Sequence, residues 1–196
     1  MPWKPPPDAV FNVRSVVLDE AAVSRVLRRM AYEIAERAGP KVYLVGIQTR
    51  GAYLAARIAQ ILAREGGPEG LETPAKGPRL GAVDITLYRD DLHIGRPRHE
   101  VGRTDLPEAI DGQTVVLVDD VLYTGRTVRA AMDVLLDYGR ARAIQLAVMV
   151  DRGNRELPIQ PDYVGVRVPT GPTESVRVML SERGETDQVV LREKVG

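Results

Sequence analysis

Two adjacent carboxylates followed by a turn rich in hydroxyls and glycine form the most chemically loaded stretch of this 196-residue sequence. In Thr114-Val-Val-Leu-Val-Asp-Asp-Val-Leu-Tyr-Thr-Gly-Arg-Thr-Val128 an apolar run, Val115 to Val118, ends at Asp119 and Asp120. Thr124, Gly125, Arg126 and Thr127 then lead into a helical pattern. A strand–turn–helix unit puts its turn beyond the carboxyl end of the strand, where open α/β sheets bind ligands. The helix start offers unpaired N–H groups and the positive end of the dipole, which suits an anion. Gly125 permits close backbone approach, and the Thr124 and Thr127 hydroxyls add donors. Two carboxylates beside an anion site would repel phosphate, but they fit if they accept hydrogen bonds from neutral hydroxyls such as the 2′ and 3′ groups of a ribose. Together these residues ask for a ribose 5-phosphate. The plainer alternative is a solvated strand end followed by a capping threonine.

A second strand-to-helix junction, Leu44-Val-Gly-Ile-Gln-Thr-Arg-Gly51, carries Thr49, Arg50 and Gly51. It is another anion-ready helix start, now with a guanidinium fork suited to phosphate or carboxylate. The plainer reading is a turn whose Arg meets solvent. Neither junction ends in Gly-Lys-Ser/Thr, which excludes a nucleoside-triphosphate P-loop. Tyr88-Arg89-Asp90-Asp91 opens a long charged stretch, and Val150-Asp151-Arg152-Gly153 closes a buried strand. Taken alone, the first is a solvated turn and the second an ordinary strand-to-loop transition. His93 and His99 have no matching carboxylate pattern and read as solvated side chains.

The elements that must hold these segments follow from periodicity. Val13 to Leu18 is strand-like. Asp19 stands as an N-cap before apolar residues spaced three and four apart from Ala22 to Ala38, stopped by Gly39-Pro40. Lys41 to Ile47 reads as a buried strand and Gly51 to Arg64 as a helix. Residues 65–80 form an irregular Gly/Pro-rich connection, Gly81 to Tyr88 a strand, and Arg89 to Gly112 a loop long enough to be a functional lid. Strand, helix and strand follow at Val115 to Val118, Arg126 to Tyr138 and Ala143 to Val150. Shorter strands are expected at Tyr163–Val166, Val176–Leu180 and Gln188–Arg192. Strands alternating with helices imply right-handed crossovers and an α/β fold: a mostly parallel twisted sheet flanked by helices. Residues 1–12 read as a Pro-rich N-terminal tail and 13–196 as a single domain.

Composition narrows the classes. Lys+Arg and Asp+Glu are both 27, a balance that disfavours a globally basic nucleic-acid binder while leaving room for a local basic face. Of the basic residues 23 are Arg, for which genomic composition or adaptation to heat is explanation enough. The absence of Cys excludes disulfides, thiolate nucleophiles and cysteine-ligated metals. Uninterrupted apolar runs reach about five residues, as in Leu146 to Val150, so no membrane span is expected. The N-terminus lacks the apolar centre of a signal peptide, which with the missing Cys points to the cytoplasm.

Val116 to Thr127 resembles the phosphoribosyl pyrophosphate (PRPP) motif of type I phosphoribosyltransferases. Its wording, Val-Asp-Asp-Val-Leu-Tyr-Thr-Gly-Arg-Thr-Val-Arg, is similar to the bifunctional pyrimidine operon regulator/uracil phosphoribosyltransferase family. Leu44 to Gly51, Asp84 to Leu92 and Gln145 to Pro158 carry the same likeness, which spans roughly residues 14–193. The resemblance implies that Asp119 and Asp120 hold the ribose, that residues 124–127 hold the 5-phosphate, and that Thr49, Arg50 and Gly51 bind pyrophosphate. It makes Arg89, Asp90 and Asp91 part of a lid over PRPP, with the two Asp ordering the loop or holding Mg2+ through water. It places a base-binding hood near Val150 and Arg152. Arg50, Asp119 and Asp120 become the catalytic set for uracil + PRPP → UMP + pyrophosphate, with Mg2+ arriving on PRPP. Gln48 stands where the family more often has Lys, and Asn154 where it usually has His. A second implied function is binding of a messenger RNA leader hairpin of pyrimidine genes under control of UMP or UTP, with Arg28, Arg37 and Arg155 as candidate contacts. A homodimer or homotetramer is implied as well. The alternative is a dedicated pyrimidine or purine phosphoribosyltransferase of nucleobase salvage that binds no RNA.

Overall fold

The computed structural model describes residues 11–39, 41–66, 77–86 and 104–195. The lid expectations for Arg89, Asp90 and Asp91, and those for His93 and His99, lie outside the described residues. β1 (Phe11–Leu18) begins two residues inside the expected tail, because Phe11 and Asn12 pair with Lys194 and Glu193 at the other end of the chain. α1 (Glu20–Ala38) starts where the sequence places it. The Asp19 carboxylate accepts the Ala22 N–H at 2.7 Å, a cap that contributes about 1 kcal/mol. Its buried stripe of Val23, Leu27, Met30, Ala31, Ile34 and Ala35 is the one read from the spacing.

β2 (Tyr43–Ile47), α2 (Arg50–Glu65), β3 (Arg79–Val83), β4 (Thr114–Leu122), α3 (Arg126–Tyr138), β5 (Ala143–Asp151) and β6 (Tyr163–Arg167) follow. They build a five-stranded parallel sheet in the order β3-β2-β4-β5-β6. α1 and α2 cover one face, with Met30, Leu54 and Ile58 packed on Leu44, Val116 and Met149. α3 covers the other, where Val128, Val134 and Leu135 meet Val45, Leu117 and Val148. β7 (Glu174–Met179) and β8 (Gln188–Lys194) join β1 in a separate antiparallel sheet, ordered β1-β8-β7, whose Val176, Val178 and Val189 close the α1 side of the core. Arg57 of α2 clasps this sheet's connecting turn: its guanidinium bonds Glu182, Asp187 and the Ser181 hydroxyl. Among the described residues no helix is long and apolar enough to cross a membrane.

Two strands differ from expectation. β3 ends at Val83 rather than at Tyr88, since the Asp84 carboxylate takes the Thr86 N–H at 2.7 Å and turns the chain. β4 does not stop at the carboxylates but runs on to Leu122, because β5 continues to pair with it through Val121↔Val150 and Leu122↔Asp151. Part of the long loop is also fixed, with Asp105 exchanging both backbone hydrogen bonds with Ala82.

Candidate active site

The pairing of β2 with β4 ends at Gly46↔Val118, so β4 goes on alone on that side, and Asp119 and Asp120 occupy this overhang. The turn after β2 crosses the same place. A Cβ on Gly51 would lie 2.2 Å from the Val118 carbonyl oxygen, and one on Gly46 would lie 2.3 Å from the Ala52 Cα. Only glycine allows the first turn of α2 to settle on β4 so closely. That contact brings the two junctions together: Arg50 Nη1 lies 3.9 Å from Asp120 Oδ2. The Gln48–Thr49 peptide leading into Arg50 is cis.

The two carboxylates differ in surroundings. Asp119 is 6% exposed, and its Oδ1 accepts the Asp120 N–H at 2.9 Å. Burial, reinforced by the charge of Asp120, raises its pKa well above the ordinary carboxylate value. Asp120 is more open, at 23% exposed, and accepts the Val121 N–H at 3.0 Å. Burial raises its pKa too, and the charge of Arg50 opposes that rise. Neighbouring carboxylates in a partly dry cleft are primed for hydroxyl donors or a cation.

Beyond them, Gly125 adopts a left-handed backbone (φ 93°) and caps α3 without offering a side chain to the helix's first N–H groups. The Thr124 hydroxyl accepts the Arg126 N–H at 3.3 Å. The Thr124 carbonyl takes the Glu156 and Leu157 N–H groups, which pins the 151–159 loop to this turn. Arg126 pairs with Glu156 at 2.7 Å, and Thr127 lies half-buried in the first turn of α3.

Val150 is fully buried between Val121 and Val166. The Asp151 carbonyl accepts from Val168 and the Arg152 N–H donates to Leu122, so these backbone groups brace the fold. The Arg152 side chain is 9% exposed, bonds the Thr170 hydroxyl and the Glu174 carbonyl at 2.9 Å, and stacks 3.9 Å from the centre of the Tyr123 ring. Sequence reasoning passed over Tyr123. Its position in the PRPP-like motif is local, but its partner follows the neighbouring strand β5, about 30 residues on.

The candidate RNA-facing arginines are scattered. Arg28 pairs with Glu65 of α2 at 2.9 Å, whereas Arg37 points to the other flank of α1, bonding the Asp162 carbonyl and lying over the Tyr163 ring. Arg29 joins that flank through the Val164 and Gly165 carbonyls. Arg155 is the most enclosed, bonded to Asp151 and to the carbonyls of Tyr123, Gly153 and Ile159.

Residues 14–178 match the family described as the phosphoribosyl transferase domain. The "Bifunctional protein PyrR" of Thermoanaerobacter pseudethanolicus is 50% identical over 186 residues, covering 94% of this chain and 100% of that protein. The proteins of the same name from Streptomyces coelicolor and Bacillus subtilis are 51% identical over 181 residues and 49% identical over 188. They align with 91% and 93% of this chain, and with 89% and 99% of their own lengths. Among solved structures, a hypoxanthine phosphoribosyltransferase from Trypanosoma cruzi has a TM-score of 0.66 at 19% identity, covering 92% of this chain and 96% of its own. One from Staphylococcus aureus reaches 0.64 at 17%, covering 91% and 92%. These two likenesses carry the fold: a parallel sheet flanked by helices, of the type I phosphoribosyltransferase kind.

Proposed function

Because the chain belongs to the phosphoribosyltransferase family and, within it, to the bifunctional PyrR proteins, we propose that it converts uracil and PRPP to UMP and pyrophosphate and regulates pyrimidine genes by binding RNA. The observation that carries the enzymatic half is the meeting of two strand-to-helix junctions, with Arg50 set 3.9 Å from Asp120, on the strand that leads into the glycine-capped start of α3.

At the anomeric carbon of PRPP the bond to pyrophosphate breaks as the bond to uracil N1 forms, through a state with oxocarbenium character, and the N1 proton passes to water or to the departing pyrophosphate. Positioning and charge stabilisation supply the rate. The first N–H groups of α3, with Thr124 and Thr127, hold the 5-phosphate. Asp119 and Asp120 accept from the ribose hydroxyls and fix the sugar ring. Arg50, at the start of α2, takes the charge that develops on the leaving pyrophosphate, and Thr49 and Gly51 shape the turn around it. Mg2+ bound with PRPP would supply further charge neutralisation at the pyrophosphate. The carboxylate oxygens of Asp119 and Asp120 are donors of the hard type that suits it. Arg89, Asp90 and Asp91 belong to the lid in this reading, and the Val150–Arg152 segment frames the base. No residue is assigned as a general base.

Replacing Arg50 with Ala and Asp120 with Asn is expected to lower kcat/KM for UMP formation from labelled uracil by about a hundredfold or more each. Unchanged kcat/KM in both variants would overturn the assignment, and faster turnover of hypoxanthine or orotate than of uracil would change the substrate. The regulatory half assigns UMP or UTP as effector and a leader hairpin as target, in a cytoplasmic homodimer or homotetramer. Arg37 and its neighbour Arg29 form a basic flank of α1 that this half of the reading uses.

A further inference from the structure

Among the described residues, five side-chain polar atoms are buried without a hydrogen-bond partner: Nε of Arg50, Arg177 and Arg192, Oε2 of Glu185 and Oγ of Ser175. They belong to one neighbourhood. Ser175 stands opposite Arg192 across the β7–β8 ladder, and Arg177 stands opposite Val190. Residues two apart on a strand share a face, so Ser175, Arg177 and Arg192 project from the same side of the small sheet, the side away from Val176, Val178 and Val189 in the core. Glu185 pairs with Arg177. Phe11 of β1 lies under the Arg192 guanidinium, 4.8 Å from ring centre to carbon. Burial, and then the charges of Arg177 and of Arg50 at the start of α2, lower the Arg192 pKa, against the opposing charge of Glu185.

Arg192 thus lies within range of the charges of Arg177, Arg50 and Glu185, while Arg177 pairs with Glu185 and Arg50 reaches toward Asp120. Like charges brought together with buried, unpaired donors are costly unless an anion completes them. Arg50 opens the 16-residue helix α2, so the positive end of that helix lies at its backbone. One partner of this group, Arg50, is already assigned to the leaving pyrophosphate, so the other two extend that position toward the small sheet.

We propose that Arg192 and Arg177 form a second cationic wall of the diphosphate site, contributed by the antiparallel sheet, which binds the phosphoryl group of pyrophosphate, or of the PRPP diphosphate, farther from the sugar. The proposal rests on the phosphoribosyltransferase reading of Arg50 and adds binding residues to it. A guanidinium fork matches a phosphoryl oxygen pair in a way a single ammonium does not. The ring of Phe11 holds the Arg192 fork flat for that purpose.

The test measures inorganic pyrophosphate binding by calorimetry, and initial rates with PRPP varied, in wild type, Arg192→Gln, Arg192→Lys and Arg177→Gln. Arg192→Gln is expected to weaken pyrophosphate and raise the KM for PRPP by roughly tenfold, with kcat changed less and the Kd of UMP unchanged. Arg192→Lys should recover part of that loss. Arg177→Gln should weaken pyrophosphate in the same direction and serves as the independent variant if Arg192→Gln does not fold. Wild-type pyrophosphate affinity in both folded Gln variants would overturn the proposal while leaving the enzyme reading intact. Loss of UMP binding in parallel would mark a merely structural role and overturn it as well. A wild-type protein that forms no UMP would instead refute the underlying reading.

Discussion

Asp119 shows how a side chain suited to its ligand can work against the fold that carries it. Its carboxyl is buried and its pKa is raised, with burial the larger cause and Asp120 the next. A carboxyl whose pKa is higher in the folded than in the unfolded chain favours folding fully below the unfolded pKa. That contribution is lost as pH rises through the folded value. Asp119→Asn removes the ionisable group while keeping the shape. The free protein is expected to gain on the order of 1 kcal/mol at pH 7, with the advantage over wild type shrinking as pH falls toward the unfolded-state pKa of Asp. UMP formation should meanwhile fall steeply. Urea denaturation at several pH values, alongside kcat/KM, reads both effects, and a variant less stable than wild type at pH 7 would contradict the account. The residues of this site were legible where chemistry is local in sequence, as in Asp119-Asp120 and the Thr124–Thr127 turn. Arg177 and Arg192 were not, because a charged residue on a short strand looks like a solvated face until its neighbours are known.

At the scale of elements, the decisive contact is the seating of α2 on β4. Gly51→Ala places a methyl 2.2 Å from a backbone carbonyl, which cannot rotate aside. The helix start must therefore move away from Val118, taking Arg50 away from Asp120. A loss of about 2 kcal/mol in stability and a KM for PRPP raised at least tenfold are expected from denaturation and initial-rate measurements. Normal values of both would show that the two junctions are not coupled in this way. Periodicity alone located α1, α2 and α3 to within a few residues, since each has a full apolar stripe. It placed the end of β4 four residues early. Asp119 and Asp120 look like the close of a strand, yet pairing with β5, about 30 positions on, decides that they are inside it. The β1-β8-β7 sheet was illegible for the same reason: Phe11 and Lys194 pair from opposite ends of the chain, and no local pattern announces such a partner.

For the molecule as a whole, equal numbers of acidic and basic residues leave charge to act through its arrangement. Much of the arginine surplus is internal bracing, as with Arg57 and Arg155, while Arg29 and Arg37 stay on one flank of α1. Gel-shift titration with pyrimidine-operon leader RNA is expected to give retardation that UMP strengthens. The log of the affinity should fall linearly with log salt, and Arg37→Ala should lower the magnitude of that slope by about 1 if Arg37 neutralises one phosphate. No retardation at low salt with UMP present would leave a salvage enzyme. The arginines of α1 have another consequence. Arg29 bonds the carbonyls of Val164 and Gly165 on β6, one margin of the parallel sheet, and at the opposite margin Ala82 of β3 is already bonded to Asp105. At those positions a strand from another copy finds no row of free partners. Sheet extension of the kind that stacks strands into fibrils is hindered at those two positions.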